Sequence, residues 1–327
     1  MLSAVLYFLK WIFLSAITLL LIGIVYERIS RWRLEQGAFK GRTFASIKGK
    51  QIHYMKKGTG NCTIIFASGM GSSHQIWSGV QSELSKNCVT LSYDRSGILF
   101  STPAVDTVTN EAVSAELSTL LEQTSCPKPY IVVAHSMAGI YLRPFISAHA
   151  KDIAGILFIE AANPNQIEKA APDLLAVLRH PPSWLIRSAV ETGLYRLFYS
   201  FVPFSPEISG QDLFQQQEKN FFYRSMPTLI EELDQTESNF EAATHYPSFG
   251  SIPLTIMLGT SELRYQGIKE ETIKRKYADW LRETQHELLQ LSTSSKLIEA
   301  HNSIHLVQIS DGAAVISAIK ELIPNES

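Results

Sequence analysis

The sequence predicts an α/β fold with a mostly parallel β-sheet, and three observations carry that expectation. Short apolar runs alternate with helical patterns from about residue 43 to residue 323. The runs are brief and lack a clear polar face, as expected of strands covered by helices on both sides. The chain has 327 residues, 45% of them hydrophobic and 18% charged, and so can bury a full core without staples.

The first segment stands apart. Trp11 to Tyr26 contains no charged residue, and Lys10 alone interrupts the stretch from Leu2 to Tyr26. A membrane span needs about 20 apolar residues, and an off-centre lysine can extend its stem toward the headgroups. No A-x-A-like cleavage site follows, and Glu27 to Arg33 reads as an interfacial flank, so a membrane anchor is expected over a cleaved signal peptide. Arg28, Arg31 and Arg33 favour a cytoplasmic catalytic side, whereas Lys10 ahead of the apolar run suits an outward-facing one; the orientation stays open. Residues 1–33 are thus the anchor and flank, residues 34–327 the globular domain, and 34–42 a polar linker.

Two short strands, Thr43–Lys48 and Gln51–Lys56, flank Gly49 as a hairpin. Further strands are expected at Cys62–Ala67, Val89–Tyr93, Tyr130–Ala134, Ile153–Ile159, Leu254–Leu258 and Lys296–Glu299. Helices are expected at His74–Ser85, Thr109–Gln123, Met137–His149, Ile268–Leu291 and Gly312–Ile323. The interval from about 163 to 250 breaks the alternation. It is rich in proline and aromatics, including Trp184, Tyr195, Phe198 and Phe201, and reads as a helical cap insertion.

Charge and cysteine content exclude several functions. With 29 basic and 31 acidic residues there is no positive excess to neutralise phosphates, so nucleic acid is not expected as a partner. Cys62, Cys88 and Cys126 are too few and too far apart for a disulfide framework or a CxxC motif.

The chemistry-bearing segment begins at Ile131. Ile131-Val132-Val133-Ala134 leads into His135-Ser136-Met137-Ala138-Gly139, a strand, a serine between small residues, then a helix. A nucleophile elbow needs this pattern, because strand and helix backbones nearly touch beside the strained serine turn. Ala134 and Ala138 stand where glycine is usual. A second turn, Ser68-Gly69-Met70-Gly71, follows a strand and can aim N–H groups at a developing oxyanion; the candidates are the N–H groups of Met70 and Met137. Gly69-x-Gly71 with Asp94 also imitates a dinucleotide fingerprint, but His74 occupies the third glycine position.

Taken together, Ser68-Gly69-Met70-Gly71, Tyr93-Asp94-Arg95-Ser96-Gly97, the elbow at Ser136, Gly155 to Ala162 and the Asn302-Ser303-Ile304-His305 loop resemble the α/β-hydrolases, from about Thr43 to Ile323. The resemblance implies a Ser-His-acid triad, no metal or organic cofactor, and a structural role for Asp94-Arg95. Laid over the family's histidine loop without a gap, the base falls on His305, with Ile304 where glycine is usual; His301 is the alternative. The acid is Glu160, ending the strand after the nucleophile's, or Glu262, ending the next. A metal site from His301 and His305 lacks a third ligand. The expected activity is hydrolysis of a carboxylic ester, apolar or lipid-like in view of the aromatic cap and anchor, with amide and thioester substrates open. A binding protein on an impaired scaffold is the rival, motivated by Ala134, Ala138, Ile304 and by Ser68 where the family has histidine.

Overall fold

The computed structural model describes residues 2–103, 107–202, 205, 207 and 212–324. Its helices are α1 (Leu2–Glu35), α2 (Ser78–Leu84), α3 (Asn110–Gln123), α4 (Ala138–Tyr141), α5 (Arg143–Ala148), α6 (Gln166–Lys169) and α7 (Pro172–Leu178). They continue with α8 (Ser183–Glu191), α9 (Leu194–Phe198), α10 (Asp212–Asp234), α11 (Thr236–Thr244), α12 (Glu271–Leu288), α13 (Val307–Ser310) and α14 (Gly312–Lys320). The strands are β1 (Thr43–Ile47), β2 (Lys50–Lys57), β3 (Thr63–Ala67), β4 (Val89–Tyr93), β5 (Tyr130–His135), β6 (Ile153–Ile159), β7 (Leu254–Gly259) and β8 (Ser295–Ala300). The chain divides into two compact units, Met1–Gly41 with His180–Met226, and Arg42–Arg179 with Pro227–Ser327; the second break falls inside α10 at Pro227.

The larger unit is an eight-stranded sheet in the order β1-β2-β4-β3-β5-β6-β7-β8. The β1–β2 and β2–β4 pairs are antiparallel and all the others parallel. Because strand side chains alternate, β3, β5 and β6 supply one face from Ile65, Val132, Ala134, Ile156 and Phe158, which join α3, α4 and α5 in one cluster. The opposite face carries Ile64, Phe66, Ile131, Val133 and Leu157, all fully buried; Phe66 meets Trp77, just ahead of α2, with ring centroids 5.1 Å apart. Every residue of β3, β4, β5 and β7 is buried, which is why these strands read as continuous apolar runs. The chain leaves β4 and re-enters at β5 on the other side of β3. Loops at the carboxyl ends of β3 and β5 therefore diverge and open a crevice there, where open α/β sheets place their sites.

The smaller unit holds α1, α8, α9 and the first part of α10. Among the described residues, α1 supplies the one segment long and apolar enough to cross a membrane, Ala4–Glu35. The expected flank turns out to be helix through Glu35, so the linker is shorter than the sequence suggested. Glu27 is also no solvated flank residue. Its carboxylate is buried, bonded to Arg196 at 2.7 and 2.9 Å and to Arg31 at 2.9 Å, while Arg31 and Arg28 also reach Glu191 at 3.0 and 2.9 Å. A carboxylate so placed needs cationic partners, since an unpaired buried charge costs several kcal/mol.

Candidate active site

Ser136 is the first residue after β5, between that strand and α4. Its φ is +54°, a conformation costly for a residue with a Cβ. Neighbouring backbone over-determines it. The Ser136 N–H donates to the Ile159 carbonyl, and the Ser136 carbonyl accepts from Gly139 and Ala162. Ser136 is half-exposed at the end of a wholly buried strand, where a side chain is open to a reactant. The turn is closely packed where Gly69 and Gly139 meet it. A Cβ on Gly69 would lie 2.8 Å from the Ser136 Cβ, and one on Gly139 would lie 2.8 Å from the Ala161 Cβ.

Glu160 follows β6 and carries the second left-handed backbone of the site, φ +49°. Its carboxylate is buried and triply engaged. Oε1 accepts from the Gly259 N–H at 2.6 Å, and Oε2 faces Arg264 at 2.9 Å and His305 Nδ1 at 3.4 Å. Arg264 also donates to the carbonyls of Gly259 and Ile304, so one guanidinium ties Glu160, the end of β7 and the histidine loop. Glycine is required at 259, because a Cβ there would collide with the Ile304 carbonyl passing over it. Ile304 itself is not among the residues with positive φ, so its departure from glycine imposes no left-handed strain.

The competing candidates lie elsewhere. Glu262 is exposed in a short 3₁₀ turn after β7. The His301 side chain is 76% exposed and bonds the Thr260 hydroxyl at 2.9 Å, with Glu299 3.9 Å away. The structure thus brings Glu160 and His305 together beside the Ser136 turn, and does not bring Glu262 or His301 into that group.

His135, the last residue of β5, links that strand to the histidine loop. Its Nε2 lies 2.9 Å from the His305 carbonyl, and the two rings stand 4.6 Å apart. A carbonyl only accepts, so Nε2 carries the proton and Nδ1 is bare. Burial, reinforced by the nearby His305 ring, pushes the His135 pKa far below the usual histidine range, which keeps it neutral despite that hydrogen bond.

The Ser68–Gly71 turn is clamped from behind. Arg95 donates to the carbonyls of Ser68 and, at 2.8 Å, of Gly69, and pairs with Glu232 of α10 at 2.6 Å. Glu232 in turn accepts from the Gly71 N–H at 2.7 Å. Burial disfavours the Arg95 charge, but Glu232 outweighs it and the pKa is raised. Ser68 is buried and bonded by the Trp77 indole N–H at 3.0 Å, donating its own hydroxyl to the Ser73 carbonyl at 2.8 Å. Met70, half-buried, packs its side chain against the core, and its carbonyl accepts from the Ser72 hydroxyl at 3.4 Å.

Among the described residues, one group could hold a metal ion, namely His53, His74 and Asp94. Asp94 spends its two oxygens on the Nδ1 atoms of both histidines, each at 2.8 Å, and also accepts the His74 N–H. Burial alone would push the Asp94 carboxyl up; His74 and His53 outweigh it and hold it well below the usual carboxylate range. The Asp94 oxygens and both Nδ1 atoms are thus spent on one another, while His53 Nε2 is buried without a hydrogen-bond partner.

Sequence reasoning missed Arg264, Glu232 and the bridging part of His135. No motif marked Arg264 or Glu232, whose partners are 104 and 137 residues distant (264 − 160 and 232 − 95). His135 was visible in the elbow motif, but what its ring would meet was not.

A profile of the Alpha/beta hydrolase family matches residues 64–318. An AB hydrolase superfamily protein of Gibberella zeae is 27% identical over 285 residues, covering 79% of this chain and 85% of that protein. Among solved structures, the enol-lactonase from Burkholderia xenovorans LB400 superposes with a TM-score of 0.59 at 14% identity, over 86% of this chain and 99% of that one. The Cif epoxide hydrolase from Acinetobacter nosocomialis superposes with a TM-score of 0.62 at 14% identity, over 92% and 97%. The matched span takes in the strands from Ile64 of β3 to the end of β8, with Ser136, Glu160 and His305 among its residues, and the chain is accordingly a member of the Alpha/beta hydrolase family.

Proposed function

We propose that the protein is a serine hydrolase that cleaves carboxylic esters through an acyl-enzyme, with Ser136 as nucleophile, His305 as base and Glu160 as the orienting acid. The observation that carries this reading is the Glu160 carboxylate 3.4 Å from His305 Nδ1, next to a serine held at φ +54° on the strand-to-helix turn. That separation is longer than a tight hydrogen bond, as is common before substrate binds.

In this mechanism Ser136 Oγ attacks the ester carbonyl while His305 takes its proton. Glu160 fixes the histidine tautomer and stabilises the imidazolium. The developing oxyanion accepts from the N–H groups of Met70 and Met137. Collapse expels the alcohol, which receives the proton from His305; water, activated by the same histidine, then releases the acid. A serine in the elbow lacks the carboxylate nucleophile that epoxide or haloalkane opening would need. The substrate class is an apolar or lipid-like ester, supported by the aromatic content of the cap and by α1, read as a single membrane anchor. Resistance of the full-length protein to carbonate extraction tests that anchor; release into the supernatant would contradict it.

One observation favours the second reading, a binding protein on this scaffold. Arg264 lies 2.9 Å from Glu160 Oε2, nearer than His305, and competes for the same oxygen. A fluorophosphonate probe distinguishes the two readings. Labelling that disappears in Ser136→Ala supports the hydrolase, and absence of labelling in the folded wild-type protein supports the binder.

A further inference from the structure

In the smaller unit, α9 and the helical turns that prolong it carry an outward apolar stripe. Leu194, Leu197, Phe198, Phe201 and Val202 fall at i, i+3, i+4, i+7 and i+8, and all five are exposed, Phe201 to 81%. Hydrogen bonds from Tyr199 to Tyr195 and from Val202 to Phe198 maintain the helical register past the end of α9. The inner side is occupied. Tyr195 stacks on Phe222 with centroids 4.2 Å apart, and the Arg196 guanidinium is bonded to Glu27 and, at 3.0 Å, to Asn220. A water-facing helix would put polar residues where this stripe lies.

The position of the stripe along α1 identifies what covers it. α1 and the α8–α9 turn meet backbone to backbone, since a Cβ on Gly23 would lie 2.5 Å from the Thr192 carbonyl oxygen. Around this contact lies a groove of about 700 Å³ between the two elements, lined on α1 from Ala16 to Tyr26 and on the other side by Leu194, Leu197, Ser200 and the Arg196 that pairs with Glu27. Ten residues of helix span about 15 Å, roughly half of a bilayer's hydrocarbon thickness. The whole groove lies beside the charge-free run Trp11–Tyr26, not beyond its charged end. The charged residue of α9, Arg196, is buried against Glu27, so the outer stripe presents no bare charge.

We propose that the α9 stripe and its groove are a second membrane-embedded surface, occupied by the acyl chains of bilayer lipids. This rests on α1 being a membrane anchor, the reading given above. Nothing soluble is needed to cover the stripe: an anchor that spans the bilayer carries α9 into the same apolar layer.

The test uses full-length protein with one added cysteine at a time: Ile17→Cys in α1, Leu197→Cys or Phe201→Cys in the stripe, and Lys151→Cys as an aqueous reference. The native cysteines are buried, and the added ones replace partly or fully exposed residues. Each protein is labelled with the fluorophore NBD and reconstituted in phosphatidylcholine vesicles with or without nitroxide-bearing lipid. Probes at 197 and 201 should lose at least about half of their emission to the nitroxide lipid, as at 17 and unlike 151, and should resist aqueous iodide. Quenching at 17 with iodide-accessible probes at 197 and 201 would overturn the inference and leave the anchor standing. Shielding from iodide without nitroxide quenching would mean that a second copy covers the stripe, which also overturns it. No nitroxide quenching at 17, 197 or 201 would overturn the anchor and the inference together.

Discussion

Arg264 and Glu160 form a buried ion pair at 2.9 Å through the same carboxylate oxygen that faces His305. The guanidinium also holds the Ile304 carbonyl and so sets the loop that carries His305. Its positive charge partly neutralises the carboxylate proposed to stabilise imidazolium in the transition state. Arg264→Gln is therefore expected to change two things. Loop disorder should lower kcat/KM by roughly 10- to 100-fold. Loss of the competing charge should move the acid limb of the kcat/KM profile to higher pH, whereas a purely structural arginine would lower activity without displacing that limb.

The acid and base assignments predict an asymmetric pattern of loss. Glu160→Gln should lower kcat by about 10⁴-fold, as the wrong histidine tautomer dominates. Glu262→Gln, on an exposed turn, should change it little. His305→Ala should cost about as much as Ser136→Ala, since triad members act as a unit, and His301→Ala far less. The reverse pattern in steady-state ester hydrolysis would transfer the roles to Glu262 or His301.

Glu232 holds the Gly71 N–H and Arg95, which together fix the turn bearing Met70. Glu232→Gln keeps the shape but leaves Arg95 buried without its counter-ion. If the turn positions an oxyanion donor, kcat should fall by roughly 10- to 100-fold with KM nearly unchanged, because the lost interaction is made in the transition state. A rise in KM at constant kcat would place this turn in ground-state binding instead.

Stability should fall on mild acidification. Burial lowers the pKa of His53 and lowers that of His135 further. Both groups are neutral in the folded chain at pH values where the unfolded chain, with histidine pKa near 6.5, binds protons. Below about pH 6.5 the unfolded state therefore takes up more protons, and unfolding becomes easier by up to about 1.4 kcal/mol per pH unit per group. The melting temperature of the protein in detergent should decline from pH 7.5 to pH 5.5. His135→Gln should reduce that slope; an equal slope in the variant would remove His135 as a source.

Much of the fold was legible because its strands are buried on both faces. The runs at Val89–Tyr93 and Ile153–Ile159 coincide with β4 and β6, and Thr43 begins β1 as expected. The helix expected at Met137–His149 instead breaks at Leu142 into α4 and α5, ahead of Pro144, whose missing N–H and ring disfavour an unbroken helix. Ser136, Met70 and the histidine loop carry local signatures and could be placed from the sequence. Arg264, Glu232 and the Glu27–Arg196 pair could not. Each is an ordinary charged residue locally, and its partner is fixed by the tertiary path of the chain. For the same reason Glu27 read as part of an exposed flank, although it is a buried counter-ion.

The central claim is that Ser136 becomes acylated. The most direct measurement is the mass of the intact protein after brief exposure to an activated ester such as p-nitrophenyl butyrate, followed by acid quench. Wild-type protein is predicted to gain one butyryl group, located on the peptide containing Ser136 and absent in Ser136→Ala; turnover by folded protein with no adduct there, or equal turnover by Ser136→Ala, would contradict it.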